Sequence, residues 1–221
     1  GQSITCVVTA TNAGGSTPAT SNAVQIQNIF TTTWTTTSNG ESITLPYDGG
    51  GTYSGTIDWG DGSTDENSYS YKTHTYATAG TYTVVIDGAV VGWNFSSTFS
   101  GGNITSVVHW GQLQLGQNLG GYFSDCPNLD LSSVSDIFDL TGMYDLTYMF
   151  GGCTSLTSIN RIDEWNTSGV TVMAGMFQFC TQIDFNIGTW NVAAVTNFSD
   201  FMDSATTTFS TANLDAIYSG W

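Results

Sequence analysis

Trp165-Asn166-Thr167-Ser168-Gly169-Val170-Thr171-Val172-Met173-Ala174-Gly175-Met176-Phe177-Gln178-Phe179-Cys180 is the stretch on which the reading of this chain turns. Its last five residues belong to a series: Thr98-Phe99-Ser100-Gly101-Gly102, Tyr122-Phe123-Ser124-Asp125-Cys126, Met149-Phe150-Gly151-Gly152-Cys153, then Met176 to Cys180, then Phe201-Met202-Asp203-Ser204-Ala205. The second residue of each block falls at 99, 123, 150, 177 and 202, so the period is 24 to 27. A second marker keeps step, since Trp165-Asn166-Thr167 and Trp190-Asn191-Val192 lie 25 apart. Each is followed by Val-Thr, at Val170-Thr171 and Val195-Thr196. A period of 20–29 with a short β-branched segment is what stacked coils of chain require. Residues 91-221 are therefore predicted to form a leucine-rich-repeat-like solenoid of about five repeats, each a short strand plus a half-helix.

The period also decides the cysteines. Cys126, Cys153 and Cys180 are 27 residues apart, so they occupy one slot in successive coils. Zinc ligands converge within a few ångströms and come in close pairs, whereas residues one coil apart form a column. A ladder of buried, reduced thiols is expected, with a disulfide between adjacent coils as the alternative. Cys6 is left without a partner in this sequence. Trp165 and Trp190 share a slot too; core packing is the expected role, with stacking on sugar rings as the rival. The strand face, with Val172 and Asn197 flanked by Thr171 and Thr196, is the expected binding face, because stacking sets these side chains side by side.

Working back from the repeat, residues 29-90 carry short strand candidates at the spacing of a β-sandwich: Phe30-Thr37, Ser42-Pro46, Gly51-Asp58, Ser68-Thr75 and Thr81-Ile86. Between them Ile57-Asp58-Trp59-Gly60-Asp61-Gly62 ends a strand in a Gly-rich turn. Asp58, Asp61, Asp65 and Glu66 in that turn are the one candidate metal set, for calcium. Calcium needs six or more oxygen ligands, and this spacing is not that of an EF-hand. A turn whose Asp side chains bond local amides is the plainer expectation. Trp59, His74, Tyr76 and Tyr82 are expected in structural roles. Residues 1-28 read as two strands, Ser3-Asn12 and Ala19-Gln27, around turn chemistry at Asn12 to Pro18, with Ile4, Cys6, Val8 and Ala10 on one face.

Three resemblances follow from these residues. The run Trp59-Gly60-Asp61-Gly62, then His74, Tyr76, Gly80, Tyr82 and Val84, resembles the PKD (polycystic kidney disease) family of immunoglobulin-like domains. Ile4-Thr5-Cys6-Val7-Val8-Thr9-Ala10-Thr11-Asn12 resembles the last strands of bacterial and phage immunoglobulin-like domains. The stretch from Trp165 to Cys180 resembles the repeats of BspA-like leucine-rich repeat surface proteins. Together they imply a mainly β chain, an Ig-like sandwich followed by the solenoid, serving as an extracellular spacer or binding module.

Composition narrows the partners. Lys72 and Arg161 are the two basic side chains against 18 acidic ones, for a net charge of -16. Such a surface repels nucleic acid, whose binding depends on cations that neutralise phosphates, and anionic membranes. Apolar residues at 40% and aromatics at 13% are enough for real cores. Serine is abundant and His74 and His109 are the two imidazoles, but no G-x-S-x-G elbow accompanies them. The expectation is no enzyme and no cofactor. It is a structural or adhesive module of a phage fibre or decoration protein, with a bacterial surface adhesin or a carbohydrate-binding accessory domain as alternatives. Expected partners are other virion or surface proteins, further copies of the chain, and a host-surface protein or glycan. The expected location is extracellular, on a virion or a bacterial cell. Both ends read as cuts through a longer polypeptide.

Overall fold

A computed structural model describes residues 29–97, 100–204 and 210–221, together with the backbone of four short strands within 2–26. The strands in chain order are β1 (Gln2–Ile4), β2 (Val7–Asn12), β3 (Gly15–Thr20), β4 (Val24–Ile26), β5 (Phe30–Thr36), β6 (Ser42–Thr44) and β7 (Tyr47–Tyr53). They continue with β8 (Thr56–Asp58), β9 (Thr64–Glu66), β10 (Thr73–Thr75), β11 (Gly80–Asp87), β12 (Val90–Trp93), β13 (Ile104–His109) and β14 (Leu113–Gln114). One α-helix, α1 (Thr211–Gly220), follows the repeats. The protein is mainly β, built on several antiparallel sheets, and none of the described sheets closes on itself. Among the described residues no helix is long and apolar enough to cross a membrane.

β2 and β3 form a hairpin paired from Val7↔Thr20 to Asn12↔Gly15, so the expected turn residues Gly15 to Pro18 are in a strand. Cys6 lies outside the described residues, as do Thr98, Phe99 and Ala205 of the repeat blocks. The expected burial of Ile4, Val8 and Ala10 also falls outside what is described.

The largest sheet runs β13-β5-β11-β8-β9, and a second runs β14-β12-β7. Thr-rich β5 suits a sheet because β-branched side chains pack well on a pleated surface. It buries Phe30, Thr32, Trp34 and Thr36, and Trp34 Nε1 donates to Thr32 Oγ1 at 2.7 Å. Phe30 meets Trp93 of β12 edge-on at 4.8 Å, which joins the two sheets through aromatic rings. A fully buried amide sits among them. Asn67 Oδ1 accepts from Tyr47 Oη at 2.6 Å, and its Nδ2 donates to the carbonyls of Ser54 and Ala89 at 2.9 Å each. The sheets extend beyond residue 90, since β12 pairs with β7, β13 with β5, and β14 with β12.

β13 is also where the stack of coils begins. Its free edge bridges in parallel to the next pass of chain, Ser106 to Asp130; Leu131 then bridges to Ile159, and Asp145, Val172 and Asn197 form a row. Backbone bonds join the coils along two lines. At the turns, Phe123, Phe150 and Phe177 N–H donate to the carbonyls of Met149, Met176 and Phe201. Along a second line the direction reverses, with Asp130 N–H donating to Thr105, Asn160 to Leu131 and Asp184 to Thr157, while the row through Val172 carries bonds of both directions.

Inside the stack, residues one period apart touch. Phe123, Phe150 and Phe177 lie nearly parallel, 5.8 and 5.7 Å apart. Trp165 and Trp190 stack at 6.1 Å and 10°. Cys126, Cys153 and Cys180 are free and buried, and the thiols of Cys153 and Cys180 donate to the carbonyls of Phe123 and Phe150 at 3.0 Å. Burial pushes the Cys180 thiol up to about 12 and holds Cys153 well above the ordinary thiol range, which keeps both protonated and able to donate.

The half-helix expected in each repeat is replaced by a turn. Residues 147–152, 174–179 and 199–204 are turns, and the strand expected opposite is reduced to single bridges. The reason lies in the backbone. Each of these turns has two residues with positive φ: Tyr148 and Gly152, Gly175 and Phe179, Asp200 and Ser204. A left-handed residue cannot continue a right-handed helix. Asx turns claim further amides, for example Asn166 Oδ1 taking Ser168 N–H and Asn197 Oδ1 taking Ser199 N–H.

Helix α1 closes the last coil. Ser210 caps it through Asn213 N–H, and Asp184 Oδ1 accepts from Ser210 and from the Asn213 amide. The Trp221 ring, next in the chain, packs at 5.4 and 5.8 Å from Phe198 and Phe201.

Candidate functional site

The Gly-rich turn after β8 gathers most of the residues that the sequence singles out around it. Trp59 is fully buried and its Nε1 donates to Asp65 Oδ2 at 2.8 Å. His74 on β10 stacks on Trp59 at 4.8 Å and 12°, and its Nε2 meets Asp61 Oδ2 at 2.9 Å. Tyr76 Oη donates to the Trp59 carbonyl, and the Tyr76 and Tyr82 rings stack at 3.8 Å. Asp58 accepts from Gly60 N–H, while Glu66 is exposed on β9. Among the described residues no three His, Cys, Asp or Glu side chains gather as a cation would need. Asp58, Asp61 and Asp65 serve the turn and its neighbours.

Ser63, His74 and Asp61 do come together, but not as a relay. In a catalytic triad the acid and the nucleophile sit on opposite ring nitrogens of the histidine. Here Ser63 Oγ and Asp61 Oδ2 both face Nε2, at 3.4 and 2.9 Å. An ionised carboxylate only accepts, so Nε2 carries the proton. Partial burial works to raise the Asp61 pKa, but donation from the Ser63 hydroxyl and amide and from His74 outweighs it and brings the carboxyl to about 2. A depressed folded-state pKa contributes stability that is present above the ordinary carboxylate value and lost as pH falls through the folded one. Asp61→Asn should therefore remove part of the stability at neutral pH and flatten its decline between about pH 4 and pH 2. Urea midpoints across that range check this; an unchanged acid limb would mean Asp61 is not the group responsible.

A second pair was not legible in the sequence. His109 Nδ1 meets Ser135 Oγ across adjacent coils. The nearby Asp136 is turned away, its two oxygens accepting Trp110 and Gly111 N–H at 2.8 Å each. Ser135 Oγ also bonds the Val108 carbonyl. This too fastens one coil to the next.

Trp165 and Trp190 are buried, at 4% and 2% exposure, so neither ring can meet a ligand. The row expected as a binding face is continuous, since Val172 bridges both Asp145 and Asn197. Its hydroxyls are already used: Thr171 Oγ1 donates to the Tyr144 carbonyl and Thr196 Oγ1 to the Thr171 carbonyl, each at 3.2 Å.

Three large apolar side chains that face solvent lie one turn further along. Tyr148 is 43% exposed and Phe179 51%, both at positive φ, and Leu119 is 62% exposed. With glycines 120, 121, 151 and 152 they border a groove of about 330 Å³ that crosses three coils. Sequence reasoning passed over these residues because they occupy the variable positions of the repeat. The remaining signal was an aromatic where neighbouring repeats carry Gly or Asp, as Phe179 stands against Gly152 and Asp125.

Residues 117–216 match the family described as "Mycoplasma protein of unknown function, DUF285". The matched stretch takes in the described coils from Gln117 to Ser204 and the first six residues of α1. No curated protein and no solved structure matches the chain.

Proposed function

We infer that this chain is a non-enzymatic structural and adhesive module that works outside the cell, in a fibre or surface layer, and touches its target through the turn face of the stacked coils. In this reading residues 29–114 are an immunoglobulin-type sandwich related to the PKD domains, and the coils after it are a leucine-rich-repeat-like solenoid with α1 as its cap. One observation supports it above the others. Among the described residues both imidazoles and the three repeat thiols are taken up in holding the fold: His74 by Asp61, His109 by Ser135, and the thiols by carbonyls. The exposed aromatics Tyr148 and Phe179 lie along successive turns on one face of the stack, as suits an extended partner.

Two settings compete: a virion fibre or decoration protein, and a bacterial surface adhesin. The description of the matched family, a Mycoplasma protein, favours the second. With a net charge of -16, partners should be neutral or basic and their association should weaken with salt. Single-module binding is expected to be weak, and linked copies to raise avidity by about 100-fold or more. The test is cell and glycan-array binding by the monomer and by a streptavidin-linked tetramer. A tetramer that binds no surface would make the module a pure spacer.

A further inference from the structure

The geometry points to the groove beside Tyr148 and Phe179 as a binding site for neutral oligosaccharides, an assignment that rests on the adhesive reading above. Three independent features converge there. The first is strain. A bulky residue at positive φ is a genuine outlier, because its β-carbon crowds the backbone, and Tyr148 and Phe179 sit at φ 50° and 60°. The other turns fill the same places with small or flexible residues, Gly121, Gly175 and Asp200 at the first position and Asp125, Gly152 and Ser204 at the second, and never with another ring. Both aromatics are half in solvent, so core packing does not explain them. Strained residues that packing does not require cluster at ligand sites.

The second feature is the bed on which Tyr148 lies. A β-carbon at Gly175 would fall 2.2 Å from Tyr148 Cε1, and one at Gly151 would fall 3.2 Å from Cδ1. The ring therefore rests on the glycine backbone of the next turn, with its remaining surface outward. A fixed aromatic plane is what the C–H face of a pyranose packs on, and its hydrophobic contact needs no charge.

The third feature is hydrogen-bonding capacity held in reserve. Asp125, exposed at the neighbouring turn, has a carboxylate that meets no donor among the described residues, and its Oδ1 would lie 2.4 Å from a β-carbon at Gly152. Gln178 lines the same groove, with its Nε2 donating to Asp203 Oδ2 at 3.4 Å and its Oε1 left to accept. Paired hydroxyls of a sugar need such acceptors and donors at the rim of an aromatic floor. About 330 Å³ is room for one or two sugar rings. The groove shares Ser96 and Leu119 with a second cleft of about 590 Å³ that holds exposed Tyr69 and Lys72, so a longer chain can continue into it. Charge decides between neutral and acidic sugars. Asp125 lines one cleft and Asp48 the other, while Lys72 is engaged over the Tyr69 ring at 3.8 Å.

Saturation-transfer NMR with maltotriose, cellotriose, laminaritriose and triacetylchitotriose, and sialyllactose as the anionic control, tests the assignment. The wild type should give transfer to at least one neutral trisaccharide and not to sialyllactose. Tyr148→Gly and Phe179→Gly should each weaken that binding tenfold or more. They should leave the melting temperature level or raised, because glycine accepts positive φ freely; a ring needed only for packing would lower it instead. No transfer to any neutral sugar, stronger transfer to sialyllactose, or undiminished binding by both variants overturns the assignment. The linked tetramer separates this from the broader reading. A Tyr148→Gly tetramer that binds cells as well as the wild type refutes the groove alone, whereas a wild-type tetramer that binds nothing refutes the adhesive function.

Discussion

Phe150→Ala should lower stability by about 3–5 kcal/mol, the range for deleting a buried aromatic ring. Phe150 is fully buried, with Phe123 and Phe177 stacked on either side and Trp165 tilted against it at 6.3 Å. In a stack each coil contacts only its neighbours, so a cavity in the middle weakens two interfaces at once. For a chain of this length the loss corresponds to a fall in melting temperature of about 6–20 °C. Phe179→Ala is the matched control: its ring is half exposed, and an effect within about 1 kcal/mol is expected. Urea and thermal denaturation followed by circular dichroism measure both. A Phe150 variant within 1 kcal/mol of the wild type would show that the coils do not share one column of packing.

Asn67→Ala is the second large effect, at about 2–4 kcal/mol. Hydrogen bonds contribute modestly when made and far more when one partner is left buried without the other. Removing this amide strands the Tyr47 hydroxyl, a group already so enclosed that burial drives its pKa far above the ordinary phenol value. It also releases the carbonyls of Ser54 and Ala89, which tie the end of β7 to the β11–β12 connection. Tyr47→Phe removes one bond and keeps the ring's stacking on Tyr53 at 4.0 Å, so a smaller loss of about 1–2 kcal/mol is expected. The double variant should cost less than the two singles added, because both disrupt the same bond. Strict additivity would mean the Tyr47–Asn67 bond contributes nothing.

The sequence announced the stack through its columns. Phe123, Phe150 and Phe177 repeat because one slot in each coil is a closed apolar space, and the cysteine slot repeats because it admits only a small group that can reach a carbonyl. β5 and β11 were legible for a similar reason: a half-buried strand writes alternation into its residues. Other features left no such trace. Asn67 reads as one more turn residue, since partners 13 and 22 positions away decide its burial. The turns that replace the half-helices depend on φ values that Asp, Tyr, Phe, Ser and Gly all adopt here, so no single residue type marks them. Helix α1 hid among Thr, Asn, Ser and Gly, all modest helix formers. It is held by its Ser210 cap, by Asp184 and by the Trp221 ring packed on the last coil.

The two lines of backbone bonding between coils have an electrical consequence. In an α-helix every peptide dipole points one way, and the sum leaves about half a charge at each end. In this stack the turn line donates from earlier coil to later, as from Phe150 to Met176, while the second line donates from later to earlier, as from Asn160 to Leu131. The dipoles of the two lines oppose one another along the axis, so they offset in part instead of adding throughout. The backbone therefore gives the ends of the stack less charge than a helix of equal bond number would, and the field that an approaching molecule feels is dominated by the carboxylates.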